Sequence, residues 1–293
     1  MRIKISALAR SLFFSFMSYL FVLFVIIVID TFYNKDFVFM RAAAISAVYL
    51  GALVVLFAIM VLVFRVKLSV RKEIFEDRFK EVLAAAKEGE LRCLNGKRWD
   101  GNAVLIVVDA SLDSIGLNYF KIVVPRVKHF YKDYVKTEEV SSFNALSNLS
   151  PEDARLRSIM NNRRVWQAAI GISRVLDKLR EDKGLDTDFD ALRYWAEHAN
   201  HKEWKKDEIG MVNGVGLITF QYLRMQAGID TSMPDKIIKR MVKREFGVHA
   251  NDNLQFIEEM ERLSKEIGYS QILICWAIWL RESNMGEEKW EAL

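Results

Sequence analysis

The sequence predicts an all-α chain in two parts, an N-terminal two-helix transmembrane hairpin followed by a helical domain. Three observations carry this. Residues 11–29 and 42–64 contain no Asp, Glu, Lys or Arg, and each run is long enough to cross a hydrocarbon core of ~30 Å at ~1.5 Å per residue. No alternating apolar and polar ladder of the β type recurs, and the chain has only 3 prolines. From residue 71 onward, apolar residues at helical spacing alternate with helix-capping residues. The expected division is a hairpin over 1–70, a connecting amphipathic helix over 71–96 and a helical domain over 97–293.

Arg2, Lys4 and Arg10 precede the first apolar run, while Arg65, Lys67, Arg71 and Lys72 follow the second. The positive-inside rule then predicts a multi-pass protein of a bacterial-type inner (plasma) membrane, with both termini and the helical domain cytoplasmic and the loop from Asp30 to Arg41 outside. A cleaved signal peptide is the competing reading of the first run, but no small-residue cleavage pattern follows it. Ala43, Ala47 and Gly51 repeat at a spacing that lets helix backbones approach closely, and Ser11, Ser15 and Ser18 form a polar stripe. The expected partners at this end are the lipid bilayer and, through the hairpin, a homo-oligomer or another protein.

The formal charge of +4 is mild. Basic residues flanking the apolar runs account for much of it, and orientation or contact with anionic lipid is their simplest role. Cys93 and Cys275 are the 2 cysteines. In a reducing compartment they indicate neither a disulfide nor a four-thiolate metal site.

Along the helical part, Ile74, Phe75, Phe79, Val82 and Leu83 give one apolar face, and Gly89 is expected to end that helix. Ala103–Val108, and Ile122–Val124 before Pro125, suit either a strand or a buried helix, and the helical character of the rest favours helices. Ser150-Pro151-Glu152-Asp153 reads as a helix start and Asp188 as the cap of a helix running through Trp195. Asn251 or Asp252 opens a helix that Gly268 closes, and Ile272–Leu280, carrying Trp276 and Trp279, reads as a buried terminal helix.

The chemistry concentrates in Val212-Asn213-Gly214-Val215-Gly216 and the later Pro234-Asp235. Two glycines around one apolar residue make a tight turn between helices, and the amides opening the second helix can hold an anion such as a phosphate. Behind Asp235, the residues Lys236, Lys239, Arg240, Lys243 and Arg244 recur on one helical face, with Ile237, Ile238, Met241 and Val242 on the other. Such a stripe suits DNA phosphates, anionic lipid or plain solvation. Asp235 itself is both a good helix cap and a candidate acid.

Ile209 through Arg240 resembles the helix-hairpin-helix and Gly/Pro-Asp signature of the endonuclease-III-like DNA glycosylase superfamily. Gly214-Val215-Gly216, Thr219, the apolar Phe220, Tyr222 and Leu223, and Pro234-Asp235 carry the resemblance. Helices from about Ala103 to Tyr131 and from Ser150 to Lys183 fall where that fold keeps others. The resemblance implies that Asn213, Gly214, Val215 and Gly216, with the basic stripe, bind DNA while a base is flipped into a pocket. It also implies a monovalent cation on the hairpin backbone carbonyls, no further cofactor and no metal-ligand set. Asp235 would support departure of the base, because a carboxylate stabilises the positive charge that builds on the sugar.

Two departures narrow this. Ile218 stands where bifunctional members carry a lysine, so Schiff-base lyase chemistry is not expected, and 2 cysteines exclude the four-cysteine iron-sulfur cluster. Leu217 and Ile218 are also apolar for a turn facing phosphate. His198 and His201, beside Glu197 and Glu203, read as a solvated helix end rather than a metal face. Tyr194, Trp195, Trp204 and Tyr222 are candidates for stacking on a base or for core positions, and Asp109 and Asp113 read as capping or turn residues.

The function expected is therefore a membrane-anchored cytoplasmic DNA-binding protein. Its activity would be monofunctional N-glycosylase hydrolysis with Asp235 as catalytic acid, directed at phage or other foreign DNA. The alternative is a non-catalytic, membrane-tethered DNA or protein interaction module, and a third reading is an oligomeric membrane effector.

Overall fold

In the computed structural model the described residues are 49, 51–53, 55–60 and 71–282. The chain divides into two compact units, Met1–Lys67 and Leu68–Leu293.

In the first unit, residues 51–53 and 55–60 are helical, and Leu53, Val55, Phe57, Ile59 and Met60 are exposed. Here the multi-pass inner-membrane localisation expected from the sequence is corrected. Among the described residues no helix is long and apolar enough to cross a membrane. A single helix crosses a hydrocarbon core of about 30 Å only with about 20 consecutive, predominantly apolar residues. The first expected span, 11–29, lies outside the described residues, as does most of 42–50 within the second.

The second unit is all-α among its described residues. It opens with α1 (71–79) and α2 (Leu83–Leu94). Phe75 and Phe79 are buried, and Phe75 packs on Phe246 and Tyr269 at 6.1 and 5.3 Å between ring centroids. Gly89 does not end α2. With Ala85, Ala86 and Cys93 it forms the buried small-residue face of this helix, which runs on to Leu94.

Helix α3 (Ala103–Asp113) is the centre of the unit. Asn102 caps it by accepting the Leu105 N–H at 3.0 Å, and every residue from Ala103 to Leu112 is buried. An all-round apolar helix belongs inside a protein, so the ambiguous Ala103–Val108 run is a core helix. The segment before Pro125 is helical too, as a π-turn (Tyr119–Val123) leading into α4 (Val124–Phe130).

Short helices α5 (Phe143–Ser147) and α6 (Ala154–Ile159) follow. The Ser150 start is displaced. Asp153 takes the cap because its carboxylate accepts the N–H groups of both Arg155 and Leu156, leaving Pro151 in a turn. The long α7 (Arg163–Lys183) packs on α3 and α5 and ends at Gly184 in the left-handed region. In α8 (Asp188–His198), Thr187 and Asp190 form the capping box. Asp188 is freed to accept the Phe143 N–H at 2.6 Å across the fold, which is why it is not the cap.

Beyond the hairpin come α9 (Leu217–Gln226), α10 (Lys236–Phe246), α11 (Asn253–Ile267) and α12 (Gln271–Glu282). Asp252 opens α11 and Gly268 closes it, as the sequence indicates. The apolar α12 packs on α2 and α10. Helices α3, α9, α10 and α12 thereby converge around one cavity.

Candidate functional site

The hairpin is shaped by packing. Gly214 has φ +99°, and a Cβ there would lie 2.9 Å from the Arg164 carbonyl oxygen on α7, so only glycine fits. The arm before it is not an α-helix. It is a 3-10 turn (His201–Lys206) followed by a loop in which Asp207 accepts the Ile209 N–H at 2.9 Å and the Trp195 indole at 3.1 Å. Asn213 is exposed and reaches Gln167 at 3.3 Å, Val215 is buried, and Gly216 is the N-cap of α9. Leu217 is buried and Ile218 packs against the core, which is why this turn tolerates two apolar residues.

Asp235 caps α10 and lines the cavity. One oxygen accepts the Ile238 N–H at 2.6 Å and the other accepts the Trp279 indole N–H at 2.9 Å. Burial raises its pKa above the usual carboxylate value, against the hydrogen bonds from Ile238, Trp279 and Ile237 and the charge of Lys239.

The basic stripe is partly neutralised within the fold. Arg240 and Arg244 both pair with Glu282, at 2.9 and 3.6 Å, and Lys239 donates to Asn253 at 2.8 Å. Lys236 and Lys243 are exposed and form no ion pair among the described residues.

The cavity holds about 130 Å³, room for about ten water-sized groups. Its walls are edge-to-face rings: Tyr119 on Tyr222 at 6.3 Å, Tyr222 on Trp279 at 5.9 Å and Trp276 on Trp279 at 5.4 Å. Asp113 from the end of α3 and Asp235 from the start of α10 both line it. Asp113 is half-buried, and among the described residues its carboxyl has no hydrogen-bond or ion-pair partner. Burial raises its pKa well above the usual value, and the charges of Asp109 and Asp235 add to the effect.

Behind the rings lies a fully buried ion pair. Arg98 donates to Asp109 Oδ2 at 3.2 Å, and the same oxygen accepts from Trp99 at 2.8 Å, Tyr119 at 3.0 Å and Tyr222 at 3.4 Å. Trp99 and Asp100 adopt left-handed backbone at φ 49° and 54°. Left-handed backbone costs a non-glycine residue roughly 1–2 kcal/mol; here it sets Arg98 and Trp99 against α3. Asp109 thus pins two rings of the cavity wall and Asp235 pins a third.

Of the four aromatic candidates read from the sequence, only Tyr222 lines this cavity. Tyr194 instead stacks on His198 at 4.1 Å, and Trp195 packs on Phe220. His198 Nδ1 lies 2.7 Å from the Tyr194 carbonyl oxygen, and burial lowers the pKa of His201. Asp109 lies mid-helix, so its reading as a cap or turn residue is corrected, whereas Asp113 does open the turn that ends α3, its carbonyl accepting the Gly116 N–H at 3.0 Å. The usable signal was two carboxylates at i and i+4 in an otherwise apolar helix, since buried acids require a partner or a purpose. Nothing in the sequence marked Arg98 or Tyr119.

Fold and site together define an all-α domain organised around an aromatic, carboxyl-lined cavity. The model of a family described as a domain of unknown function (DUF8548) matches residues 80–283, and the chain belongs to that family. No curated protein matches it. Among solved structures, the crystal structure of the 8-oxoguanine DNA glycosylase of Thermotoga maritima is similar at 14% identity and a TM-score of 0.42, the alignment covering 73% of this chain and 95% of that one.

Proposed function

We propose that this domain binds DNA and holds a flipped nucleobase in the cavity, where Asp235 supports hydrolysis of the N-glycosidic bond. The observation that carries the reading is the position of Asp235, which opens α10 at the wall of an aromatic cavity and directly precedes the basic stripe. Rings at edge-to-face spacing offer a flipped base stacking surfaces. A carboxylate has about four lone-pair sites, so with hydrogen bonds from Ile238, Trp279 and Ile237 Asp235 keeps one with which to face an oxocarbenium-like sugar. Tyr222 lies along α9 about 9 Å from Gly216, so one helix connects the hairpin to the cavity.

In this reading Asn213, Gly214, Val215 and Gly216 present backbone amides to one phosphate, and Lys236 and Lys243 neutralise others. Lys239, Arg240 and Arg244 contribute once DNA competes with their present partners. The carbonyls of Ile209 and Val212 each accept one turn hydrogen bond, at 3.1 and 3.0 Å, and keep a second lone pair, which fits a monovalent cation at the hairpin.

One observation favours a second reading, a DNA-binding module without catalysis: both oxygens of Asp235 are already engaged in structural roles. The full-length protein, titrated with labelled DNA across a salt series and assayed for abasic sites, separates the two. Catalysis predicts abasic product that disappears in Asp235→Asn while binding persists. Binding without product leaves the module. For either, Lys236→Gln with Lys243→Gln should reduce the salt slope by about 2. Absence of binding at low salt refutes both.

A further inference from the structure

We propose that a second pocket, lined by Arg224, binds a free α-amino acid with an aliphatic side chain, its carboxylate held by Arg224 and its ammonium group by Gln271 and Asp230. The pocket encloses about 370 Å³ between α9, the loop after it, α11 and the first residue of α12. It shares no lining residue with the aromatic cavity, so it stands apart from the base-binding reading. Its wall contains a buried cation without a counter-ion in contact. Arg224 is 8% exposed and forms no ion pair among the described residues, whereas buried arginines are almost always paired. Burial lowers its pKa, and the charge of Asp207 offsets that only in part.

Two hydrogen bonds use part of the guanidinium: Nε donates to the Ala196 carbonyl at 3.2 Å and Nη1 to Gln221 Oε1 at 2.9 Å. A guanidinium carries five N–H donors in a flat fork, so Nη2 and the second Nη1 N–H remain for a carboxylate, whose two oxygens match that fork. Gln271 has the opposite need. It is 6% exposed, its Nε2 donates to the Asp230 carbonyl at 3.2 Å, and its Oε1 has no partner among the described residues. Asp230, exposed on the same pocket, accepts the Ile272 N–H at 3.2 Å and forms no ion pair among the described residues. One unpaired cation and one unpaired anion thus line one pocket without pairing with each other, and a zwitterion complements both. An ammonium group has three donors and can serve Gln271 Oε1 and Asp230 together. Ile229 and Ile257 offer apolar surface to the side chain. The remaining bases add little net charge: burial lowers the pKa of His201, and Lys265 is paired with Glu261 at 2.6 Å. A single carboxylate therefore suits the pocket better than a dianionic phosphate.

The test melts the full-length protein by differential scanning fluorimetry with L-leucine, L-isoleucine or L-valine, each at about 10 mM, against sodium chloride at the same concentration. At least one amino acid should raise the melting temperature by about 2 °C or more, as a ligand bound to the native state alone must. That amino acid is then compared with its analogues lacking the ammonium or the carboxylate, which for L-leucine are 4-methylpentanoate and 3-methylbutylamine. Each analogue should give less than about a third of the shift, since each leaves one charge of the pocket unmet. Arg224→Met should abolish the response. No shift with any of the three amino acids, a shift matched by sodium chloride, or an equal shift with either analogue overturns the proposal. A response that survives in a folded Arg224→Met protein overturns the assignment of the carboxylate to Arg224. The analogues on the unaltered protein decide whether a zwitterion is required even if the variant does not fold.

Discussion

Replacing Asp109 by Asn tests the buried core of the site. The carboxamide keeps the side-chain volume, so no cavity opens, but it removes the charge that Arg98 faces at 3.2 Å. Both side chains are essentially inaccessible, at 1% and 0% exposure. An arginine cannot shed its proton, so the variant strands a buried cation. Breaking a buried pair from one side costs about 3–5 kcal/mol, a large part of the ~5–15 kcal/mol that stabilises a typical domain. At about 2–4 °C per kcal/mol for a domain of this size, the melting temperature should fall by about 6–20 °C. The loss is read by circular dichroism on heating and by urea unfolding. Adding Arg98→Met to Asp109→Asn should recover much of it, because the stranded charge is gone, so a double-mutant cycle will show strong coupling. An Asp109→Asn protein within about 1 kcal/mol of the parent would refute the argument, since it would mean that the Arg98 charge is not neutralised by Asp109.

Three further outcomes are expected. Gly214→Ala should destabilise the fold by about 1–3 kcal/mol in urea unfolding, since its φ of +99° and the Arg164 carbonyl 2.9 Å from the added carbon both oppose a side chain; a neutral substitution would mean that the hairpin is free to move. Asp113 has a higher pKa folded than unfolded, so its contribution to stability is fully present in acid and is lost as pH rises through the folded value. Asp113→Asn should therefore match the parent in acid and melt higher at neutral pH, and a difference that is the same at every pH would count against this. Cys93, its pKa pushed up to about 11, and Cys275, pushed higher still, are both buried away from solvent. A thiol reagent should label neither in the native protein and both after denaturation, while rapid native labelling would place at least one thiol outside the core.

Much of the helical domain was legible because helix ends are local chemistry. Asn251-Asp252 and Gly268 bound α11 since an Asp side chain can accept the orphan amides and a glycine can turn left-handed within a few residues. Competition blurred other ends. Asp153 displaced Ser150 as a cap, Asp188 was drawn to Phe143 on another helix, and Gly89 stayed helical on the buried small-residue face of α2. For the two apolar runs the sequence offers only hydropathy averaged over a window; among the described residues no helix is long and apolar enough to cross a membrane.

By itself the sequence determined an all-α domain, the hairpin glycines, the position of Asp235 at a helix start and the basic face behind it. Each of these depends on residues within a turn or two of one another. Only the tertiary structure decided that Tyr119, Tyr222, Trp276 and Trp279 enclose one cavity with Asp113 and Asp235, and that Arg98 and Asp109 neutralise each other behind it. Those residues come from different helices. Their meeting depends on how α3, α9, α10 and α12 pack, and a one-dimensional pattern does not encode which faces of separate helices meet.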